Sequence, residues 1–216
     1  IPHYYDCDIR DEKRLESLFE KYRFDWVIHL AWLKAVWESC EKPLLYHENN
    51  VGGSIALFKI MEKYNVKNIV FSSSATVYDS SNASPLRETD KLGTTNPYGT
   101  TKLVIEKILV DLSKQSSWKS IALRYFNPIG AHESWELGEN PKGVPNNILP
   151  YIMKVASWEL KEIQIFWNDY ETRDGTGVRD YIDILDLADA HLSAYRKIET
   201  EKYPLYEAVN IGTGSG

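Results

Sequence analysis

The 216 residues carry 25 Lys and Arg against 31 Asp and Glu, a formal net charge of −6, with 43% hydrophobic and 26% charged residues. This is an ordinary globular balance, and its acidic total argues against a nucleic-acid binder, which needs a basic face. The apolar runs fall well short of the ~20 residues of a membrane span, and two cysteines, Cys7 and Cys40, are too few for a disulfide scaffold, so a cytoplasmic protein is expected. Residues 11–22 have helical spacing, with Leu15, Leu18 and Phe19 on one face. Residues 25–31 form a short apolar run that reads as a strand buried on both faces. A helix over 43–64 follows from the apolar repeat at Val51, Ile55, Leu57, Phe58 and Met61. Residues 66–72 read as strand, 98–113 as helix and 120–125 as strand.

This β-α-β-α-β order predicts an α/β fold, a doubly wound parallel, Rossmann-like sheet with helices on both faces. Past Asn127 the texture changes. Residues 127–150 are rich in Gly, Pro and Asn and read as a functional loop. A helix at 148–156, a strand at 163–166, a helix at 185–197 and a strand at 207–211 complete the chain. The expected organisation is a partial Rossmann-like domain over 1–127 and a smaller interleaved lobe over 128–216, with the chain returning to the sheet near 180–212.

In such sheets ligands bind beyond the carboxyl ends of the strands. The sharpest constellation there is Ser72-Ser73-Ser74 at one strand end, followed by Asn96-Pro97-Tyr98-Gly99-Thr100-Thr101-Lys102. Tyr98 and Lys102 stand four apart at a helix start and share one face. A lysine ammonium beside a phenol lowers the tyrosine from its reference of about 10, which would make Tyr98 a general base. Ser74 is placed to hydrogen-bond the same substrate hydroxyl. Tyr-x-x-x-Lys alone is a weak signal; with the serine run in this architecture it becomes a catalytic set. The five histidines show no metal-ligand spacing, so no metal site is expected. His29, at the end of a buried strand, reads as a satisfied core residue. Cys7 and Cys40 have no activating base.

Longer stretches carry a resemblance. They include Val27-Ile28-His29, Asn49-Asn50-Val51, Phe71-Ser72-Ser73-Ser74-Ala75-Thr76-Val77-Tyr78 and Asn96-Pro97-Tyr98-Gly99. Further on come Leu123-Arg124-Tyr125-Phe126-Asn127-Pro128, Val144-Pro145-Asn146-Asn147 and Gly177-Val178-Arg179-Asp180-Tyr181. Through them the chain resembles the sugar-nucleotide 4-epimerases of the extended short-chain dehydrogenase/reductase family. The resemblance implies NAD as cofactor and interconversion of UDP-glucose and UDP-galactose by transient oxidation at sugar C4. It implies that Tyr98 takes the C4 hydroxyl proton, Lys102 tunes Tyr98 and meets the nicotinamide ribose, and Ser74 bridges substrate and tyrosine. Asp8 and Ile9 would meet the adenine. Leu30, Ala31, Lys34, Asn49, Ser72 and Tyr125 would line the rest of the NAD site. Phe126, Asn127, Asn147, Ile148, Gln164, Phe166, Arg179 and Tyr181 would hold the UDP-sugar. Arg179 suits a diphosphate, and Asn147 stands where a helix N-terminus can face that anion. A homodimer of the complete protein is implied too.

Two alternatives stay open: a 4-epimerase of UDP-N-acetylglucosamine or a UDP-pentose, and a non-catalytic sugar-nucleotide-binding relative. A 4,6-dehydratase is disfavoured, because Ser74-Ala75-Thr76 is not followed by the carboxylate pair that elimination uses.

The sequence departs from the family pattern in two ways. The first strand, its Gly-x-x-Gly-x-x-Gly turn, the acidic ribose residue and the C-terminal substrate segment are not in these 216 residues. The expectation is a fragment that binds NAD poorly and is inactive by itself. The resemblance also places glycine where this chain has Trp32, Trp37, Trp135, Trp158 and Trp167, five of its seven tryptophans. One cause would cover all five: a gene in which UGA encodes glycine and is written as tryptophan. The alternative is a diverged copy with genuine tryptophans. Asp79, where the family has Gly, and Asp183, where it has His, read as ordinary divergence.

Overall fold

The computed structural model describes residues 3–115, 117–141, 143, 145–165, 168–202 and 204–216. In chain order its elements are α1 (Glu12–Lys21), β1 (Val27–His29), α2 (Val36–Glu41), α3 (Pro43–Tyr46), a π-helical segment (His47–Gly52) and α4 (Gly53–Lys63). Then come β2 (Asn68–Ser74), a 3-10 turn (Ala75–Val77), α5 (Pro97–Gln115), β3 (Lys119–Tyr125), β4 (Asn127–Ile129), α6 (Ile148–Ala156), β5 (Tyr181–Asp183), α7 (Ile184–Thr200) and β6 (Leu205–Ile211). The chain divides into two compact units, Ile1–Tyr125 with Ala190–Asn210, and Phe126–Asp189 with Ile211–Gly216.

The first unit is built on a four-stranded sheet in the order β1-β2-β3-β6. β1 pairs with β2 and β2 with β3, both parallel, in a register that sets Ser72 opposite Leu123 and Ser74 opposite Tyr125. β2 is buried from Ile69 to Ser74, which is why it reads as a run of small and apolar residues rather than an alternation. Its core joins Ile69 and Phe71 to Phe58 and Met61 of α4, Ile105 and Leu109 of α5, and Leu15 and Phe19 of α1. α1 starts where Asp11 accepts the Arg14 N–H and ends with Lys21 in its last turn, matching both ends of the helix dipole. Trp118 and Trp32 belong to this packing. Trp118 is fully buried, its indole N–H donating to Glu62 at 2.6 Å, and Trp26 stacks on Tyr195 with ring centres 4.2 Å apart. The parallel α/β sheet predicted from the sequence is therefore present.

The expected helix over 43–64 is instead three pieces, because a π-helical segment interrupts it. Widening the turn brings Asn50 fully inside, where its amide is tied on both sides.

In the second unit β4 pairs parallel with β5, placing Asn127 opposite Tyr181. The Asp180 carbonyl accepts both the backbone and side-chain N–H of Asn127, at 3.1 and 3.0 Å. The Asp180 carboxylate accepts the N–H groups of Thr213 and Gly214 and the Thr213 hydroxyl. Asp183 caps the start of α7 by accepting the Leu185 N–H at 2.7 Å, so an aspartate there has a local structural role. Both three-residue strands escape sequence reading, β4 because Pro128 and its short length mask it. The strand expected at 163–166 is not found over 163–165, where Ile163 and Ile165 are 47% and 73% exposed and give a strand no buried face. Phe166 lies outside the described residues.

Candidate active site

The start of α5 is fixed by three sequence features. Asn96 accepts the Gly99 N–H at 2.8 Å as a cap, and Pro97 occupies the first helical position. A Cβ at Gly99 would lie 2.7 Å from the Thr76 carbonyl oxygen, so only glycine lets α5 come this close to the turn after β2. That approach brings Tyr98 to Ser74. The Ser74 hydroxyl accepts from the N–H and hydroxyl of Thr76, at 3.2 and 3.1 Å, and stands near enough to the Tyr98 phenol to lower its proton affinity. One turn further along α5, Lys102 is fully buried and donates to the Ser72 carbonyl at 2.6 Å. Its nitrogen lies 5.6 Å from the Tyr98 ring centre.

The proton affinities correct one expectation. Burial pushes the Tyr98 phenol well above its ordinary value, helped by Tyr125, and the Ser74 hydroxyl only partly opposes this. Burial likewise holds Lys102 well below the usual lysine range, with the Glu106 carboxylate pulling the other way. Lys102 therefore does not lower the phenol here. Loss of hydration at both groups outweighs their mutual influence, and the ammonium is hydrogen-bonded to Ser72 rather than to Tyr98.

Behind these residues lies a buried polar network that the sequence reading missed. Glu106 accepts from Arg124 Nε at 3.0 Å and Nη2 at 2.6 Å, from the Ser73 hydroxyl at 2.5 Å and from Tyr206 at 3.0 Å. Arg124 also donates to the Tyr78 hydroxyl at 3.1 Å. The network locks α5 to β2 and β3. Its signal was a charged residue inside the apolar strand Ser120-Ile121-Ala122-Leu123-Arg124-Tyr125 and a glutamate one turn beyond Lys102.

The other candidates of the first unit fall into groups. The Ser72 and Tyr125 hydroxyls share a hydrogen bond, and burial raises Tyr125 while Ser72 lowers it. Ser72, Ser74, Tyr98, Lys102 and Tyr125 are thus together at the carboxyl ends of β2 and β3. Leu30, Ala31 and Lys34 are exposed just beyond β1. Asn49 donates to Asn50, which holds the Leu33 N–H and carbonyl at 2.9 and 3.0 Å and donates to Thr101 at 3.1 Å. Asn50, not anticipated from sequence, is the clamp between the loop after β1 and α5. Asp8 is engaged by Arg10 through side-chain and backbone hydrogen bonds that pull its carboxyl down to about 2, and Ile9 packs over Gly53. His29 donates to or accepts from Ser54 at 2.8 Å, and burial, then Lys102, lowers it to about 3. It is a satisfied core residue.

This donor set, a buried ammonium with two hydroxyls at the ends of parallel strands, suits the ribose of a nicotinamide dinucleotide. One side chain does not fit. The Trp32 ring covers the Lys102 ammonium, with the nitrogen 2.9 Å from the ring centre.

In the second unit, the β4–β5 pairing sets Asn127 opposite Tyr181, and Arg179 stands two residues before β5. Arg179 is exposed and donates to the Val178 carbonyl at 2.8 Å; a Cβ at Gly177 would lie 2.8 Å from its guanidinium. The Phe126 N–H is bonded to the Ile211 carbonyl at 3.2 Å. Asn147 precedes α6 at the cap position, but its amide donates to Glu139 at 2.8 Å rather than capping, and Ile148 follows it 52% exposed. Gln164 is exposed on an irregular segment, and Phe166 is outside the described residues.

Comparison with known proteins adds an independent line. Residues 2–212 match the NAD dependent epimerase/dehydratase family. The chain is 51% identical over 214 residues to UDP-glucose 4-epimerase 2 of Arabidopsis thaliana, covering 99% of this chain and 61% of that protein. It is 49% identical over 214 residues to the UDP-glucose 4-epimerase of Bacillus subtilis, covering 99% and 62%. Its structure resembles that of the UDP-glucose 4-epimerase from Bifidobacterium longum in complex with NAD+ and UDP, with a TM-score of 0.92, 51% identity, and coverage of 98% of this chain and 63% of that one. The chain thus spans about three fifths of the length of the relatives it matches.

Proposed function

The chain belongs to the NAD-dependent epimerase/dehydratase family, and from that membership we propose that it supplies the catalytic residues of a UDP-glucose/UDP-galactose 4-epimerase. The observation that carries this reading is the grouping of Ser74, Tyr98 and Lys102 where β2 ends and α5 begins. The similar Bifidobacterium structure, with NAD+ and UDP bound, supports the same choice of cofactor and nucleotide.

In this proposal Tyr98 is the group that accepts and returns the proton of the sugar C4 hydroxyl. Ser74 holds that hydroxyl and the phenol in one hydrogen-bonded line. Lys102, fixed by the Ser72 carbonyl, offers its remaining donors to the nicotinamide ribose, with Ser72 and Tyr125 hydroxyls beside it. Leu30, Ala31, Lys34 and Asn49 line the rest of that site, and Asp8 and Ile9 the adenine end. When bound, the oxidised dinucleotide supplies a reversible hydride acceptor for C4 and a positive charge that opposes the burial penalty on phenolate. Residues 1–127 hold the dinucleotide, and residues 128–216 mostly the UDP-sugar. Arg179 pairs with the diphosphate, and Asn147, Ile148, Gln164, Phe166 and Tyr181, with Phe126 and Asn127 from the end of the first segment, position the uridine and sugar. The full-length protein acts as a homodimer, as the sequence resemblance implies, and in the cytoplasm, as its composition leads one to expect. Among the described residues no helix is long and apolar enough to cross a membrane.

Replacing Tyr98 with Phe in the full-length protein tests the reading. Turnover of UDP-galactose is expected to fall by about 10²–10⁴-fold with the affinity for UDP-sugar nearly unchanged. Retained turnover would remove Tyr98 from the reaction.

A further inference from the structure

Among the described residues, two contrasting pairs of tryptophans stand out. Trp26 and Trp118 are built in, one stacked on Tyr195 and the other buried and hydrogen-bonded to Glu62. Trp135 and Trp158 are the opposite: 93% and 92% exposed, with φ of +63° and +65°. Among the described residues, the other positions with positive φ are Gly130, Gly143, Gly175, Gly214, Asn65 and Ser117, all glycine or small and polar. A Cβ in this left-handed region crowds the following carbonyl, and an indole gains nothing there to offset it.

The local hydrogen bonds show why the backbone takes that conformation. After α6 and its cap Ser157, the Trp158 N–H returns to the Val155 carbonyl at 3.1 Å and the Glu159 N–H to the Lys154 carbonyl at 2.9 Å. This paired return is the Schellman ending, whose left-handed residue, here 158, is usually glycine. At 135 the chain turns back on itself. The Trp135 N–H donates to the His132 carbonyl, and the His132 N–H to the Leu137 carbonyl, both at 3.0 Å. A left-handed residue in a turn so closed is again a glycine position. Trp32 is a different case: it packs partly buried against His29 and Phe71, and its ring covers the Lys102 ammonium that donates to Ser72, where a dinucleotide would have to reach it.

We propose that the protein made in its own cell carries glycine at 32, 135 and 158 and tryptophan at 26 and 118. One codon read as glycine, UGA, would stand at the first three positions and UGG at the other two. The claim for 135 and 158 rests on backbone geometry alone. The claim for 32 deepens the dinucleotide reading and rests on it, because glycine there uncovers the Lys102 ammonium.

The test is peptide sequencing by mass spectrometry on the protein purified from the organism that carries the gene, together with its codons. Glycine at 32, 135 and 158 with tryptophan at 26 and 118 is the expected result. Tryptophan in the peptides at 135 and 158 overturns the proposal; glycine there but tryptophan at 32 overturns the part concerning the site. A recombinant pair gives a second reading. In the full-length protein as written, Trp135→Gly with Trp158→Gly is expected to raise the thermal midpoint by roughly 2–8 °C, and a lowered midpoint overturns the geometric argument. Adding Trp32→Gly is expected to increase copurifying NAD+ several-fold. Unchanged NAD+ with glycine confirmed at all three sites would refute the dinucleotide role given to position 32 while leaving the residue assignment standing.

Discussion

Replacing Glu106 with Gln is expected to destabilise the protein and, separately, to move its pH profile. The Glu106 and Arg124 side chains are 2% and 3% exposed, and the carboxylate takes both Nε and Nη2 of the guanidinium. Glutamine has no charge and turns an N–H₂ toward one set of donors, so Arg124 is left buried without its counter-ion. Breaking a buried pair from one side costs about 3–5 kcal/mol, a large part of the roughly 5–15 kcal/mol that holds a domain folded. At about 2–4 °C per kcal/mol for a chain of this size, the thermal midpoint falls by roughly 6–20 °C. Removing Arg124 as well, as Glu106→Gln with Arg124→Met, takes away the stranded charge and is expected to recover much of the loss. The electrostatic consequence follows from Lys102, whose ammonium Glu106 supports against burial. Without the carboxylate, Lys102 loses its proton at lower pH, so the alkaline limb of kcat/KM shifts downward in pH. Circular dichroism melts and a pH–rate profile of the full-length protein read the two effects independently. A midpoint within about 2 °C of the parent would refute the buried-pair account; a large loss of stability with an unmoved alkaline limb would refute the link to Lys102.

Burial and then Lys102 lower His29 from 6.5 to about 3, so the unfolded chain takes up a proton below pH 6.5 that the folded one refuses until about pH 3. Its stabilising contribution is complete above pH 6.5, is lost as pH falls toward 3, and amounts to a few kcal/mol. His29→Gln, which can still meet Ser54, is expected to flatten that stretch of the stability–pH curve in denaturant titrations; an unchanged slope would contradict it. Gly99→Ala places a Cβ 2.7 Å from the Thr76 carbonyl and should cost about 1–3 kcal/mol while separating Tyr98 from Ser74. Full stability and full turnover in that variant would show that the close approach is not needed.

Much of the architecture was readable from periodicity. The run 25–31 contains β1, the repeat at Leu15, Leu18 and Phe19 marks α1, and the limits of α6 coincide with the helix predicted at 148–156. What escaped reading was short or locally determined. β4 and β5 have three residues each, too few for alternation to show, and the π-helical interruption at His47–Gly52 precedes most of the apolar repeat, whose Ile55, Leu57, Phe58 and Met61 all lie in α4. The apolar run at 163–165 misled because hydrophobicity alone does not provide a neighbouring strand. At the site, Tyr98, Lys102 and Ser74 were legible because a four-residue helical spacing and a strand end are sequence features. Glu106 and Asn50 were not, because their importance depends on burial, and sequence shows a charge or amide without showing what surrounds it. The direction of the Tyr98 shift failed for the same reason: one favourable pair was counted and the desolvation of both partners was not.

The most direct measurement is to give the purified full-length protein UDP-galactose and follow both the sugar nucleotide and the absorbance of its bound nicotinamide. The account predicts conversion to UDP-glucose, a small steady fraction of reduced nicotinamide during turnover, and loss of both signals in the Tyr98→Phe variant. A protein that binds UDP-galactose yet neither reduces the dinucleotide nor forms UDP-glucose would contradict it.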